Sequence, residues 1–294
     1  METKSRLNRF QLGVLLTPGL GIFALFTVYP IFRLFWVSFC DWNFASMLSQ
    51  PWIGLANYTE VVGDQTFWIV FGNSLAYTFV TVPGQMAIGL FTAVLLNGVR
   101  RFSIGFRVVN YLPVITSWVI ASLMFRYIFN TEGLLNYFLT KTIGMTGQNV
   151  RWLDTRWGGL SVAMFLGIWK GVGWNMVVFL AALQQVPADL YEAAEIDGCG
   201  AWKKFRSVTM PSIRGTVLFA LVMLTIGGFN VFTSIKLLTN GKPAHQTDTL
   251  LTWMYYKAFS TGKFGYAAAL SFIMALCLGL LAVLQFKLIR KREL

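Results

Sequence analysis

Glu192-Ala193-Ala194-Glu195-Ile196-Asp197-Gly198, running on through Phe205 and Val208 to Pro211, is an acid-rich, helix-forming segment in a basic and largely apolar chain. Of the twelve Asp and Glu in 294 residues, four (Asp189, Glu192, Glu195 and Asp197) fall within this neighbourhood. Pro187 suits a first helical position, where its missing N–H would be unpaired anyway, and Asp189 behind it complements the helix dipole. Gly198 and Gly200 supply the stop. At helical spacing, Leu190, Ala193 and Ala194 form an apolar face, and Asp189, Glu192 and Glu195 an acidic one. A helix this short is not stable alone, so it must dock on something. Its carboxylates offer bidentate acceptors to an Arg-bearing partner.

Outward from this segment the chain is solvated by lipid. It is 56% hydrophobic and 12% charged, with mean hydropathy +0.60, whereas soluble domains carry about 25% charged residues. The net charge of +12 does not indicate nucleic acid, because Lys and Arg cluster at the ends of apolar spans rather than on one stripe. Cys40, Cys199 and Cys277 are far apart and lack CxxC spacing, so neither a disulfide framework nor a metal site is expected. Lys4, Arg6 and Arg9 precede an apolar stretch that mimics a signal peptide. It is too long and lacks a small-x-small cleavage pattern, so it reads as an uncleaved first span.

Six segments reach the roughly 20 apolar residues that a bilayer core requires: about 12–39, 66–97, 104–130, 157–183, 212–236 and 267–289. Each is expected to be a helix, since an isolated strand leaves backbone groups unpaired in hydrocarbon. The fold class is therefore an all-α membrane protein with a single transmembrane domain over 1–294. The two ends, the 98–107 loop and the 184–214 loop hold fourteen Lys and Arg, against seven on the other side. Positive-inside bias then places both termini and the Glu192 loop in the cytoplasm.

The spacing Glu-Ala-Ala, three residues, Gly, then about a dozen residues to a hydrophobic-Pro pair resembles the EAA loop of binding-protein-dependent ABC importer permeases. Met210 and Cys199 stand where Leu and Ala are common in that family. Gly54-Leu55-Ala56-Asn57-Tyr58 with Phe67-Trp68, Tyr111-Leu112-Pro113, and the run from Trp169 to Pro187 are also similar to the family. So is Leu238-Thr239-Asn240-Gly241-Lys242-Pro243 with Thr247, in which Lys242 replaces a Gly. The likeness spans nearly the whole chain and points to the MalF/UgpA-like sugar-permease branch. It implies the type I importer fold, with 187–211 as the coupling loop and Glu192, Ala193, Ala194, Asp197 and Gly198 in contact with an ATPase. Implied partners are a second homologous permease in a heterodimer, two ATP-binding ABC subunits and an extracytoplasmic binding protein. The implied location is the bacterial inner membrane.

No cofactor is expected in this chain, because G-x-x-x-x-G-K-[ST] is absent; ATP and Mg fall to the partner ATPase. H-E-x-x-H and G-x-S-x-G are missing, and His245, the single His, reads as an ordinary exposed loop residue. No Asp or Glu lies within a span, which argues against a proton-coupled secondary transporter; no nucleophile–base set supports an intramembrane enzyme. Arg33 and Arg126 lie near external span ends and snorkel. Lys170 falls mid-span, facing either an aqueous pathway or backbone carbonyls. Trp169 and Trp174, which flank Lys170, and Trp118 offer aromatic faces to sugar C–H groups, Asn230 a buried amide, and Gly171 and Gly173 room for a ligand against the backbone. The resemblance adds Val114, Gly228 and Val231 to the pathway. Carbohydrate is the leading cargo and a polyol or glycerol phosphate the alternative.

Overall fold

The computed structural model of the chain describes residues 9–44, 49–99, 101–145 and 147–290. Lys4, Arg6, Arg100, Lys291 and Arg292, which enter the charge argument above, lie outside the described residues. Among the described residues the fold is helical, with only an isolated bridge between Cys40 and Trp52. The main helices are α1 (Gly13–Val37), α2 (Ala56–Gly63), α3 (Gln65–Asn97), α4 (Ser103–Ile115), α5 (Trp118–Ile128), α6 (Arg156–Leu183), α7 (Ala188–Ile196), α8 (Arg214–Leu238) and α9 (Phe264–Arg290). Five of them (α1, α3, α6, α8 and α9) are long and apolar enough to cross a membrane, and the bent pair α4–α5 makes a sixth.

That bent pair corrects the expectation of one continuous helix over 104–130. The two halves meet at 89°. Pro113 removes a backbone donor near the end of α4, and Thr116 and Ser117 turn extended. Ser117 Oγ then accepts from Val119 N at 3.3 Å and starts α5.

Contacts divide the chain into two compact units, residues 1–63 with 254–273, and residues 64–253 with 274–294. In the first unit, the C-terminal end of α1 is tied to α2. Asn57 is buried and donates from Nδ2 to the carbonyls of Ser38 and Cys40, both at 2.9 Å. Ser38 Oγ and Tyr58 Oη are 2.8 Å apart, and the rings of Phe39 and Trp52 stack at 5.0 Å. Arg33 reaches Gln50 Oε1 at 2.8 Å, so its charge leaves the apolar span as expected of a snorkelling residue. The apolar residues of α1 from Val14 to Trp36, apart from the half-buried Val28, are exposed within the chain.

In the second unit α3 and α6 form the most extensive helix pair, with α8 against α3 and α4 against α6. Glycines set their approach: a Cβ on Gly89 would fall 2.4 Å from Asn175 Cβ, and one on Gly173 would fall 2.2 Å from the Asn110 carbonyl. Close packing of this kind is how helices associate where the surrounding lipid is as apolar as their side chains. The loop after α8 is pinned by α3. Asn73 Nδ2 donates to the carbonyls of Gln246 and Asp248, both at 2.7 Å, and Arg156 Nε donates to Asn73 Oδ1 at 3.0 Å. His245 is not the ordinary exposed residue expected. It is half-buried, 2.7 Å from Asp248 Oδ2, and edge-on to Trp253.

Candidate functional site

The 187–211 segment folds locally. Pro187 is the residue before the helix rather than its first turn, and α7 runs from Ala188 to Ile196 with Asp189 at its start. Gly198 adopts φ +68°, a left-handed stop that a side chain rarely takes. Its N–H bonds Glu195 O at 2.9 Å, and Cys199 N bonds Ala194 O at 2.9 Å.

The face of α7 that turns inward differs from the one expected. Ala194 is buried and Tyr191 half-buried, with Tyr191 Oη 3.0 Å from Thr209 Oγ1. Leu190 and Ala193 are exposed instead. Tyr191 combines an apolar ring with a hydroxyl that reaches Thr209, so it takes the inner position that Leu190, with no polar group, cannot satisfy in that way. Glu192 and Asp197 are exposed, and Glu192 has no hydrogen bond or ion pair among the described residues. Glu195 pairs with Lys204 at 2.5 Å. The Lys204 hydrogen bond, then its charge, holds the Glu195 carboxyl below the usual carboxylate range. Two residues that the sequence reading passed over dominate the outward surface: Ile196 is 87% exposed and Trp202 74%, the latter stacked on Phe205 at 5.6 Å. Large apolar groups left in water outside a span mark an interaction site.

The second candidate region lies between α3, α4–α5, α6 and α8. Lys170 is buried there, and its ammonium donates to three carbonyls: Pro113 at 2.9 Å, Val114 at 3.4 Å and Thr116 at 2.5 Å. These are the carbonyls left without partners where α4 ends, and an ammonium has three donors to give them. The Trp118 ring lies 4.8 Å from the same nitrogen. Of the two roles open from the sequence, Lys170 takes the structural one and caps the broken span.

Two adjoining cavities share Tyr77, Trp118 and Gly227. The first, about 230 Å³, is bordered by Val114, Trp118, Lys170, Gly171, Trp174 and Gly228. The second, about 330 Å³, is bordered by Asn230 and Val231. The pathway residues chosen from sequence are thus brought together, but several play other parts. Asn230 is exposed, not buried, and donates to Ile226 O of its own helix at 2.9 Å. At Gly171, which borders the cavity, a Cβ would meet Gln85 Oε1 at 1.5 Å, so this glycine makes way for the Gln85 side chain. Gly173 faces the Asn110 backbone and Gly228 faces Thr78. These glycines serve helix packing. Trp174 borders the cavity, whereas Trp169 packs on Phe125 at 5.6 Å.

The sequence reading missed the contribution of α3. Tyr77, Thr81 and Gln85 are all buried and border the first cavity. Their i, i+4, i+8 spacing is a polar stripe on one helix face, a signal available in the sequence.

A family model for the inner membrane component of binding-protein-dependent transport systems matches residues 85–293. The chain is 32% identical to the probable ABC transporter permease protein YurN of Bacillus subtilis, over 95% of this chain and 96% of that one. It is 31% identical to the lactose transport system permease protein LacF of Rhizobium radiobacter, over 94% and 93% respectively. In fold it resembles a bacterial alginate ABC transporter, crystallised with an alginate pentasaccharide-bound periplasmic protein, at a TM-score of 0.80 and 22% identity, covering 97% of this chain and 96% of that one. With the helices, the broken span and the motif spacing, these matches place the chain in the family of inner-membrane permease components of binding-protein-dependent ABC transporters.

Proposed function

We propose that this chain forms half of an alternating-access pathway that imports a carbohydrate, driven by ATP hydrolysis in separate subunits. One observation carries the reading: an aromatic, amide-bearing pair of cavities and an exposed coupling helix occur in the same chain. Trp118 and Trp174 suit sugar C–H faces, and Gln85, Thr81 and Asn230 supply the few polar groups that orient a ligand. Trp118, Gly227 and Asn230 are exposed within the chain, as half of a shared pathway should be. A second homologous permease, forming a heterodimer, completes it. The name of the lactose-system relative supports carbohydrate as the cargo. Capture of the Lys170 ammonium by three carbonyls favours a neutral sugar over glycerol phosphate.

Both termini and the 187–211 loop face the cytoplasm, by the charge bias across the spans. There Glu192, Ala193, Ala194, Asp197 and Gly198, with Ile196 and Trp202, dock on one of two ABC subunits that hold ATP and Mg. An extracytoplasmic binding protein delivers the cargo, as the periplasmic protein bound to the alginate transporter suggests. The test is reconstitution with the partner ATPase and binding protein, followed by uptake of labelled oligosaccharides and of glycerol phosphate. ATP-dependent sugar uptake is expected. Uptake of glycerol phosphate alone would overturn the cargo, and uptake without ATP the mechanism.

A further inference from the structure

Gln85 and Asn175 meet between α3 and α6, and both are buried, at 8% and 0% exposure. Asn175 Nδ2 donates to the Gly171 carbonyl at 2.9 Å and, at a longer 3.5 Å, to Gln85 Oε1. A main-chain carbonyl only accepts, so the first contact fixes which end of the Asn175 amide is nitrogen. The second then fixes which end of the Gln85 amide is oxygen. Gly171 agrees, since a Cβ there would fall 1.5 Å from that oxygen. Asn175 Oδ1 is left sealed and without a partner. An orphaned buried acceptor costs stability, and helix pairing alone gives no reason to keep one. What this orphan accompanies is a fixed direction for the Gln85 side chain.

With its oxygen turned to α6, Gln85 keeps Nε2 for the first cavity, which it borders. That nitrogen has no partner among the described residues and is not sealed. The indole N–H of Trp174, on the border of the same cavity, is likewise unpartnered and unsealed. Thr81 donates its proton to the Tyr77 carbonyl at 2.7 Å. The Lys170 ammonium is engaged by three carbonyls, though its positive charge stays at the border. The Tyr77 hydroxyl can give or accept. Among the described residues no carboxylate borders the cavity. Such a lining takes hydroxyl and ring oxygens, which accept. It refuses an ammonium, which only donates and is repelled by Lys170. Resting on the sugar import proposed above, we infer that Gln85 is a specificity-determining residue, positioned by Asn175, and that the pathway selects neutral sugars against amino sugars. A site built to hydrogen-bond a hydroxyl rejects an analogue that leaves its groups unpaired, and a repulsive charge sharpens the choice.

The experiment uses the whole transporter, reconstituted with its ATPase and binding protein, and follows ATP-driven uptake at neutral pH. The probes are labelled lactose, maltose and cellobiose, each as the neutral sugar and with one hydroxyl replaced by an amine. The binding protein is the same in every arm, so its own preference cancels when variants are compared. Gln85→Met removes the amide at nearly constant volume and should lower the neutral-to-amino uptake ratio about tenfold. Gln85→Glu offers an acceptor instead and should lower it further by admitting the amino sugar. Asn175→Leu frees the Gln85 amide to turn and should lower the ratio a few-fold. Its melting temperature should hold or rise, because the orphaned oxygen goes with the amide. A purely structural Asn175 gives the reverse, a lower melting temperature at an unmoved ratio. That result overturns the inference, as does an unmoved ratio in Gln85→Met, or exclusion of every amino sugar by Gln85→Glu, in an intact complex. Uptake of no sugar by the unmodified transporter is a separate result. It defeats the proposed import of carbohydrate, and this inference with it.

Discussion

The 187–211 segment and the α3–α6 pair treat their chemistry in opposite ways. In the segment, Glu192, Ile196 and Trp202 stand in solvent, and the short α7 is held by one buried Ala194 and the Tyr191–Thr209 hydrogen bond. Between α6 and its neighbours α3 and α4, glycines bring backbones to near contact, and Lys170 on α6 is saturated by carbonyls at the end of α4. One region leaves acidic and large apolar groups exposed. The other is satisfied internally, so that a broken span survives at membrane depth, where unpaired backbone is costly.

The contrast breaks most completely at a packing glycine. Gly173→Val should prevent recovery of folded protein, because its Cβ meets a main-chain carbonyl at 2.2 Å that cannot move aside. Overpacking costs about 3 kcal/mol, and size-exclusion chromatography of the solubilised transporter reads the loss. Lys170→Met comes next. Three carbonyls at the end of α4 lose a charged donor, worth about 2 kcal/mol, so the melting temperature should fall along with uptake. An unmoved melting temperature with uptake abolished would instead make Lys170 a ligand-contacting group.

At the coupling segment the pattern should invert. Trp202→Ala should leave melting of the isolated membrane subunit unchanged, yet weaken ATPase co-purification by about tenfold or more, as exposed Trp anchors commonly do. Glu192→Ala should act in the same direction and less strongly. Within the pathway, Trp174→Ala should raise the sugar concentration needed for half-maximal uptake, while Trp169→Ala, away from the cavity, should not.

The smallest effect belongs to Glu195. Its carboxyl is held below its ordinary value by Lys204, so the pair stabilises the loop above the carboxyl's unfolded-state pKa. That contribution is lost as pH falls through the lower folded value. Glu195→Gln should remove the small acid dependence of loop protection in hydrogen exchange and change little else, because the pair is exposed.

These regions were also unequally legible in the sequence. The helix Ala188–Ile196 could be read almost to the residue because its determinants are local: an acidic first turn, a glycine stop and the motif spacing. Its inner face was misread because Tyr191 finds its partner, Thr209, eighteen residues away. The six spans follow from length and hydropathy, but the break at Thr116 does not. Pro113 and Ser117 are tolerated in unbroken helices, and only the donors of Lys170, 54 to 57 residues further on, make the break affordable. Tyr77, Thr81 and Gln85 disappear when hydropathy is averaged over a span, though their spacing marks them. Asn230 was assigned to the interior on hydropathy, yet it lies on a face exposed in the chain alone.

Asn73 has a consequence for the order of events during synthesis. Its two amide hydrogens end on carbonyls 173 and 175 residues later in the chain. When α3 leaves the ribosome those carbonyls do not exist, and they arrive only after α8 has been made. Until then the amide hydrogens have water, and Arg156 joins the amide oxygen once it has been made, 83 residues after Asn73. A contact of such long sequence separation forms late. The nascent chain therefore carries an unfinished polar patch on α3 through most of its translation, and closure of the 239–249 loop is what completes that patch.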